Sequence, residues 1–388
     1  MRGAGIDGWL TRDYRYTNPV FQSALGTPVR NLTRPVWLMI PADGEPVVLA
    51  HDVDAGRFPA GSPQILTYAS RVQMLENLKA LISRCGSSPK LAMEYSPLYE
   101  LPRVGRVDAG TIELVRSLGA EIVPSGDVLQ YAAERWSDSQ LESHRYAVDA
   151  LTRIVKQAFA FVGENVRWKL TEHDVAEFIR GRFERNDLEW DDGPVVAFDT
   201  HSSDPHYEPT AGASAVLRRE GWLLIDLWAR QKASLPTGEP AISADITWVA
   251  KLGAPPTPKN ASVFAAVREA RDAAFDFLES AVLEGRYPQG WELDRAARQV
   301  IVKAGYGDCF VHRLGHSLGH EVHSNGVNLD DWETHDTRTV IQGVGVTMEP
   351  GVYLPEFGVR LEMDVYMGVD GPEITGERQD EIVQVETS

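Results

Sequence analysis

The chain has 388 residues, 43% of them hydrophobic, and a formal charge of −18 from 38 basic and 56 acidic side chains. The length exceeds one ordinary core and implies two domains, and the apolar fraction implies a packed protein. The acidic balance argues against nucleic acid or an anionic membrane as a partner. Two cysteines, Cys85 and Cys309, fit free thiols in a reducing compartment better than a disulfide framework. The first residues lack a signal-peptide core and no apolar run reaches membrane length, so a cytoplasmic location is expected.

Residues 1–135 read as a first, α/β domain. Apolar runs at 35–40 and 46–50 flank the turn Ala42-Asp43-Gly44-Glu45 and predict a strand pair. No helix is predicted ahead of them. A helix follows over 70–85, with Val72, Leu75, Leu78 and Leu81 on one face and Gly86 as its stop. Strands at 90–94 and 121–124 bracket a helix at 110–118. The alternation implies an α/β layer, and neither a phosphate loop nor a catalytic constellation occurs in it.

Residues 136–388 read as a second domain. Ser137 with Gln140 forms a capping-box pattern ahead of a long amphipathic helix to Gly163, and Thr171 with Asp174 opens another. Two further helices are predicted over 261–283 and 291–304, beyond the proline-rich linker Gly253-Ala254-Pro255-Pro256-Thr257-Pro258. Strands are predicted over 195–198, 222–228, 242–250, 343–349 and 359–367. Helices followed by strands, repeated once, imply an α+β fold with helices on a mainly antiparallel sheet.

The chemistry concentrates here. His312-Arg-Leu-Gly-His316-Ser-Leu-Gly-His320-Glu-Val-His323 sets four imidazoles in one segment, which suits acid/base or metal chemistry. Gly315 and Gly319 argue against a helix through it. Four acids, Asp226, Asp245, Glu349 and Glu362, lie in otherwise apolar strands. Such a carboxylate is costly unless paired, protonated or bound to metal. Taken singly, each has a competing reading as a salt-bridge or sheet-edge residue. Taken with His316, the four point to two divalent cations, whose charge would balance them; oxygen ligands with one imidazole suit manganese, cobalt, zinc or iron.

Asp226, Asp245, His316, Glu349 and Glu362 resemble the five metal ligands of the superfamily of methionine aminopeptidase, aminopeptidase P, prolidase and creatinase, the M24 metallopeptidases. Glu349-Pro-Gly-Val-Tyr353 and Gly358-Val-Arg-Leu-Glu362 are similar to that superfamily's catalytic strings. The resemblance spans essentially the whole chain. It implies a pseudo-twofold pita-bread catalytic domain over 136–388 and a creatinase/prolidase-like domain over 1–135, which favours the aminopeptidase P and prolidase branch. It further implies a cytoplasmic homodimer, two divalent ions with manganese foremost, and a small peptide substrate with proline at the second position. His206, in Pro205-His206-Tyr207, and His323 match histidines that hold substrate and move a proton. His312 matches one that backs the ligands on the substrate side. Glu349 matches a ligand that also carries a proton. Arg360, two positions before Glu362, is expected to share its face and to orient a ligand or substrate carboxylate.

Several positions depart from the family pattern. The Asp226-to-Asp245 hairpin carries an insertion at 229–240 that is expected to reach over the site. Trp228 and Trp248 bring bulk that is expected to alter substrate choice, and His320 stands where an apolar residue is usual. The resemblance therefore also admits a non-peptidase member, a creatinase-like C–N hydrolase or a sulfonium lyase.

Overall fold

In the first 133 residues, six short strands build one mixed sheet. They are β1 (Gly8–Asp13), β2 (Val36–Pro41), β3 (Val47–His51), β4 (Gln64–Tyr68), β5 (Lys90–Met93) and β6 (Glu121–Pro124), in the order β4-β3-β2-β1-β5-β6. The β2/β3 hairpin forms as its turn sequence predicts, and Gly44 takes φ 113°, a conformation that favours glycine. The unit also holds α1 (Pro19–Leu25), α2 (Asp52–Ala55), α3 (Arg71–Arg84), α4 (Ala109–Ser117) and α5 (Gly126–Ala133). Ser70 caps α3, which buries Leu78, Leu81 and Ile82.

The expectation that no helix precedes the strand pair is corrected by α1. Asn18 caps it, Pro19 occupies its first position, and only Val20 and Phe21 are buried, too few to register as a periodic face. Buried Glu94 ties β1 and α1 together, accepting from Trp9, Thr11 and Asn18.

The computed structural model describes residues 1–26, 29–232 and 235–387, which form two compact units, Met1–Ala133 and Glu134–Ser388. In the second, α6 (Asp138–Asn165) and α7 (Glu172–Arg185) start at the capping boxes Ser137/Gln140 and Thr171/Asp174. Strands β7 (Leu188–Glu189), β8 (Val195–Phe198), β9 (Gly221–Gln231) and β10 (Ala244–Leu252) follow. The pattern then repeats, with α8 (Pro258–Leu283) capped by Thr257 and α9 (Gly290–Lys303) ahead of β11 (Ser317–Leu318), β12 (Gly345–Met348), β13 (Gly351–Leu354), β14 (Phe357–Arg360), β15 (Met363–Met367), β16 (Pro372–Ile374) and β17 (Val383–Val385). All ladders in this unit are antiparallel except β10 with β17. This is the pita-bread architecture. Among the described residues no helix is long and apolar enough to cross a membrane.

Strand alternation decides where the acids point. Leu223, Ile225, Leu227, Ile246 and Trp248 pack with α6 and α7, whereas Trp222, Leu224 and Val249 pack with α8 and α9. Asp226, Trp228, Asp245 and Thr247 share the latter face, with Asp226 opposite Thr247 and Asp245 opposite Trp228.

The strand predicted over 359–367 is broken. Arg360 ends β14 and Met363 begins β15, because the Glu362 backbone N–H turns aside to donate to Thr247 O at 3.2 Å. The hairpin prediction is also corrected. Ala233 and Ser234 lie outside the described residues; beyond them Glu239 and Pro240 bond to Ser137 and Gln140 at the start of α6, and none of the described residues of 229–240 lines the cleft.

Candidate metal centre

β9 and β10 deliver Asp226 and Asp245, and the segment before β11 delivers His316. Glu349 follows β12, and the break between β14 and β15 delivers Glu362. All five line one cleft of about 470 Å³. Ligand atoms of Asp245, His316 and Glu362 lie within 4.8 Å of one another, and His316 Nε2 stands 3.7 Å from Asp245 Oδ2 and 3.5 Å from Glu349 Oε1.

The glycine beside His316 has a steric reason. A Cβ on Gly315 would lie 2.0 Å from the Thr347 carbonyl oxygen, so only glycine permits this approach of the loop to β12. Thr347 then donates its N–H to His316 O at 2.9 Å and accepts the His316 N–H on its hydroxyl at 3.0 Å. His316 Nδ1 faces Ser317 O at 3.2 Å. A proton there leaves the Nε2 lone pair toward the carboxylates, the tautomer a metal ligand needs.

The electrostatics are those of a cluster short of positive charge. Burial, with the charges of Glu362, Asp226, Asp364 and Glu349, pushes Asp245 well above the usual carboxylate range. Burial does the same to Glu362, with Glu349 and Asp226 adding to it. Glu349 is pushed up to about 7 by burial, against the pull of Arg360 and Arg313. Asp226 Oδ1, Asp245 Oδ1 and Glu362 Oε1 are buried and make no hydrogen bond. Buried oxygens are normally partnered, so three orphans on side chains that line one cleft with His316 fit divalent cations.

Arg360 is the cation built into the cluster. Its Nε donates to Thr247 Oγ1 at 3.0 Å, Nη1 to the Tyr353 hydroxyl at 3.0 Å, and Nη2 to Asp226 Oδ2. Burial opposes its charge, but Tyr353, Asp226, Glu349 and Glu362 outweigh burial and hold its pKa well above the ordinary value. These bonds use three of its five N–H groups, and the guanidinium lines the cleft while holding Asp226. His312 also lines the cleft, with Nε2 2.8 Å from the Tyr353 hydroxyl and Nδ1 2.7 Å from Arg313 O. Burial and the nearby Arg360 push its pKa down to about 3, so the ring is neutral.

His206 and His323 also line the cleft, and the His323 ring lies 4.2 Å from that of His316. Trp228 lines it beside Asp192, to which its indole donates at 3.0 Å. The two other departures are corrected. Trp248 packs on the opposite face of β10 against α6, since an offset of three from Asp245 reverses the side. His320 is exposed, bonds to Ala241 O at 3.0 Å and does not line the cleft. Sequence reading missed Thr247, Tyr353 and Arg313. The first two stand two and four positions from Asp245 and Glu349, and that short spacing is the signal that could have found them.

The family model of metallopeptidase family M24 matches residues 142–368, more than half of the chain. An uncharacterized peptidase of Staphylococcus saprophyticus is 29% identical over 62% of each chain. The Bacillus subtilis protein YkvY, which bears a dipeptidase name, is 35% identical over 46% of this chain and 43% of its own. The matched stretch is thus less than two thirds of the length of either relative. Among solved structures, dipeptidase PepE from Mycobacterium ulcerans superposes with a TM-score of 0.73 at 21% identity, covering 99% of this chain and 94% of that one. A prolidase from Pyrococcus furiosus gives 0.62 at 20% identity, covering 98% of each. These two likenesses share the fold. The family match falls on the segment that carries all five converging side chains, and the chain belongs to metallopeptidase family M24.

Proposed function

We propose that the chain is a dinuclear-metal hydrolase that cleaves Xaa-Pro bonds at the N-terminus of short peptides or in dipeptides, acting as a homodimer. Asp226, Asp245, His316, Glu349 and Glu362 would hold the two ions, manganese foremost, with cobalt, zinc or iron as alternatives. The observation that carries this reading is the set of three orphaned, buried carboxylate oxygens on side chains that line one cleft with His316. Bound divalent ions supply Lewis acidity and lower the pKa of water at neutral pH.

The chain's own groups supply the rest. Glu349, which lines the cleft with its Oε1 3.5 Å from His316 Nε2, is poised to take a proton and return it to the leaving nitrogen. His206 and His323, on the open side of the cleft, are placed to donate to the developing oxyanion and to the leaving amine. Arg360 keeps Asp226 in position, and the Tyr353–His312 pair keeps Arg360 in position. Trp228 presents a flat apolar surface opposite Asp245, which suits a pyrrolidine ring. Names such as prolidase and X-Pro aminopeptidase among proteins of this fold support the substrate class.

The test is hydrolysis of Xaa-Pro dipeptides and tripeptides by metal-stripped protein, with and without added manganese. Manganese-dependent release of the residue before proline supports the reading. Metal binding without cleavage of any proline peptide contradicts the substrate class, and absence of metal binding contradicts the centre itself.

A further inference from the structure

One buried carboxylate outside the metal cluster has donors from four residues converging on it. Glu172 is the first residue of α7, and its side chain is fully buried. Its Oε1 accepts from the Phe198 N–H at 2.7 Å and lies 2.9 Å from His201 Nδ1. Its Oε2 accepts from the Ala215 N–H at 2.7 Å and from the Tyr207 hydroxyl. The Glu172 backbone N–H closes the same junction by donating to Ala215 O at 3.1 Å.

These bonds grip the segment 198–215 at both ends and at two points inside. The segment carries His206 and Tyr207 to the cleft wall. His206 N–H donates to Asp204 Oδ1 at 2.9 Å and Tyr207 N–H to Asp204 O at 3.2 Å, so one turn presents both rings. The His201 and Tyr207 rings stack at 4.3 Å between centroids, which leaves Tyr207 little freedom apart from the carboxylate that holds its hydroxyl. A helix N-terminus favours an anion at Glu172, and charged acceptors make the stronger hydrogen bonds.

We propose that Glu172 is the positioning residue for His206: it acts through Tyr207 and the two backbone N–H groups to fix where the imidazole stands over the reacting carbonyl. The inference rests on the peptidase reading above and extends it to a side chain that touches neither metal ligand nor substrate. Misplacing a group in a cleft by about 1 Å can cost on the order of 100-fold in rate. Glu172→Gln retains the shape but turns an amide N–H₂ toward donors, so the turn loses its registration.

The experiment is a double-mutant cycle on kcat with the manganese-loaded full chain, combining Glu172→Gln with His206→Ala. Glu172→Gln is expected to lower kcat by roughly 30- to 100-fold with KM and metal stoichiometry retained, and to cost less than about threefold further once His206 is absent. Equal losses in both backgrounds would show a purely structural anchor and overturn the proposal. If Glu172→Gln does not fold, Tyr207→Phe, which deletes one of the donors, enters the same cycle with the same criterion. A readout independent of turnover is the His206 ring resonance, identified by its loss in His206→Ala. It is expected to shift or broaden in Glu172→Gln, and an unchanged resonance overturns the proposal even if the chain cleaves no proline peptide.

Discussion

The Thr247 hydroxyl donates to Glu362 Oε2 at 2.7 Å, joining two residues 115 positions apart. Glu362 Oε1 is left buried and unbonded, and the same Thr247 oxygen accepts from Arg360. One hydroxyl thus fixes both Glu362 and the arginine that holds Asp226. Thr247→Val keeps the volume and removes the bond. Groups that orient metal ligands typically contribute about 10- to 100-fold in metal affinity, and a loss of that size in a calorimetric manganese titration is expected, with the far-UV circular dichroism unchanged.

Gly315 gives a steric prediction. A methyl group at 2.0 Å from Thr347 O forces the His316 loop away from β12. Gly315→Ala should lose roughly 1–3 kcal/mol of stability by overpacking, and it should bind metal far more weakly than any surface variant of equal melting temperature. Retained affinity would show that the close approach is unimportant.

Arg313 gives a test that separates dipeptides from longer substrates. Among the described residues it is the other arginine lining the cleft, and its guanidinium lies 3.8 Å from Glu333. A dipeptide places its terminal carboxylate one residue from the scissile carbonyl. Arg313→Gln should raise KM for an Xaa-Pro dipeptide by about tenfold or more, the size of one charge-assisted hydrogen bond, and leave the dipeptide amide unaffected. Equal effects on acid and amide would remove Arg313 from substrate recognition.

His144 gives a pH dependence with a defined sign. It is fully buried, with Nδ1 2.9 Å from Ser243 O, Nε2 2.7 Å from the Thr375 hydroxyl and 3.7 Å from the buried Asp364 Oδ2. Burial lowers its pKa from 6.5 to about 4. The unfolded chain therefore binds the extra proton first as pH falls. The stability contribution is complete above pH 6.5 and is lost between 6.5 and about 4, at most about 3 kcal/mol. The difference in unfolding free energy between the wild type and His144→Gln should shrink across that window; a difference independent of pH would contradict the assignment.

Much of the centre was legible because a carboxylate in an apolar strand is conspicuous. Asp226 and Asp245 stand out for that reason, and strand alternation then places both on one face. The same rule, applied to Trp248, would have turned it away from the cleft, since three positions from Asp245 is an odd step. The break before Glu362 left no local mark, because its cause is a bond to Thr247 O from a distant strand. Glu172 was hidden differently. It sits in the capping box of Thr171 and Asp174, where it reads as one more acid at a helix start, and its donors lie 26 to 43 positions away.

The central claim is that five side chains drawn from separate strands and loops share one pair of cations. Anomalous diffraction from crystals grown in manganese tests it most directly. Two peaks are expected, each within bonding distance of side chains from the set Asp226, Asp245, His316, Glu349 and Glu362. No peak in the cleft, or density held by other residues, would contradict the account.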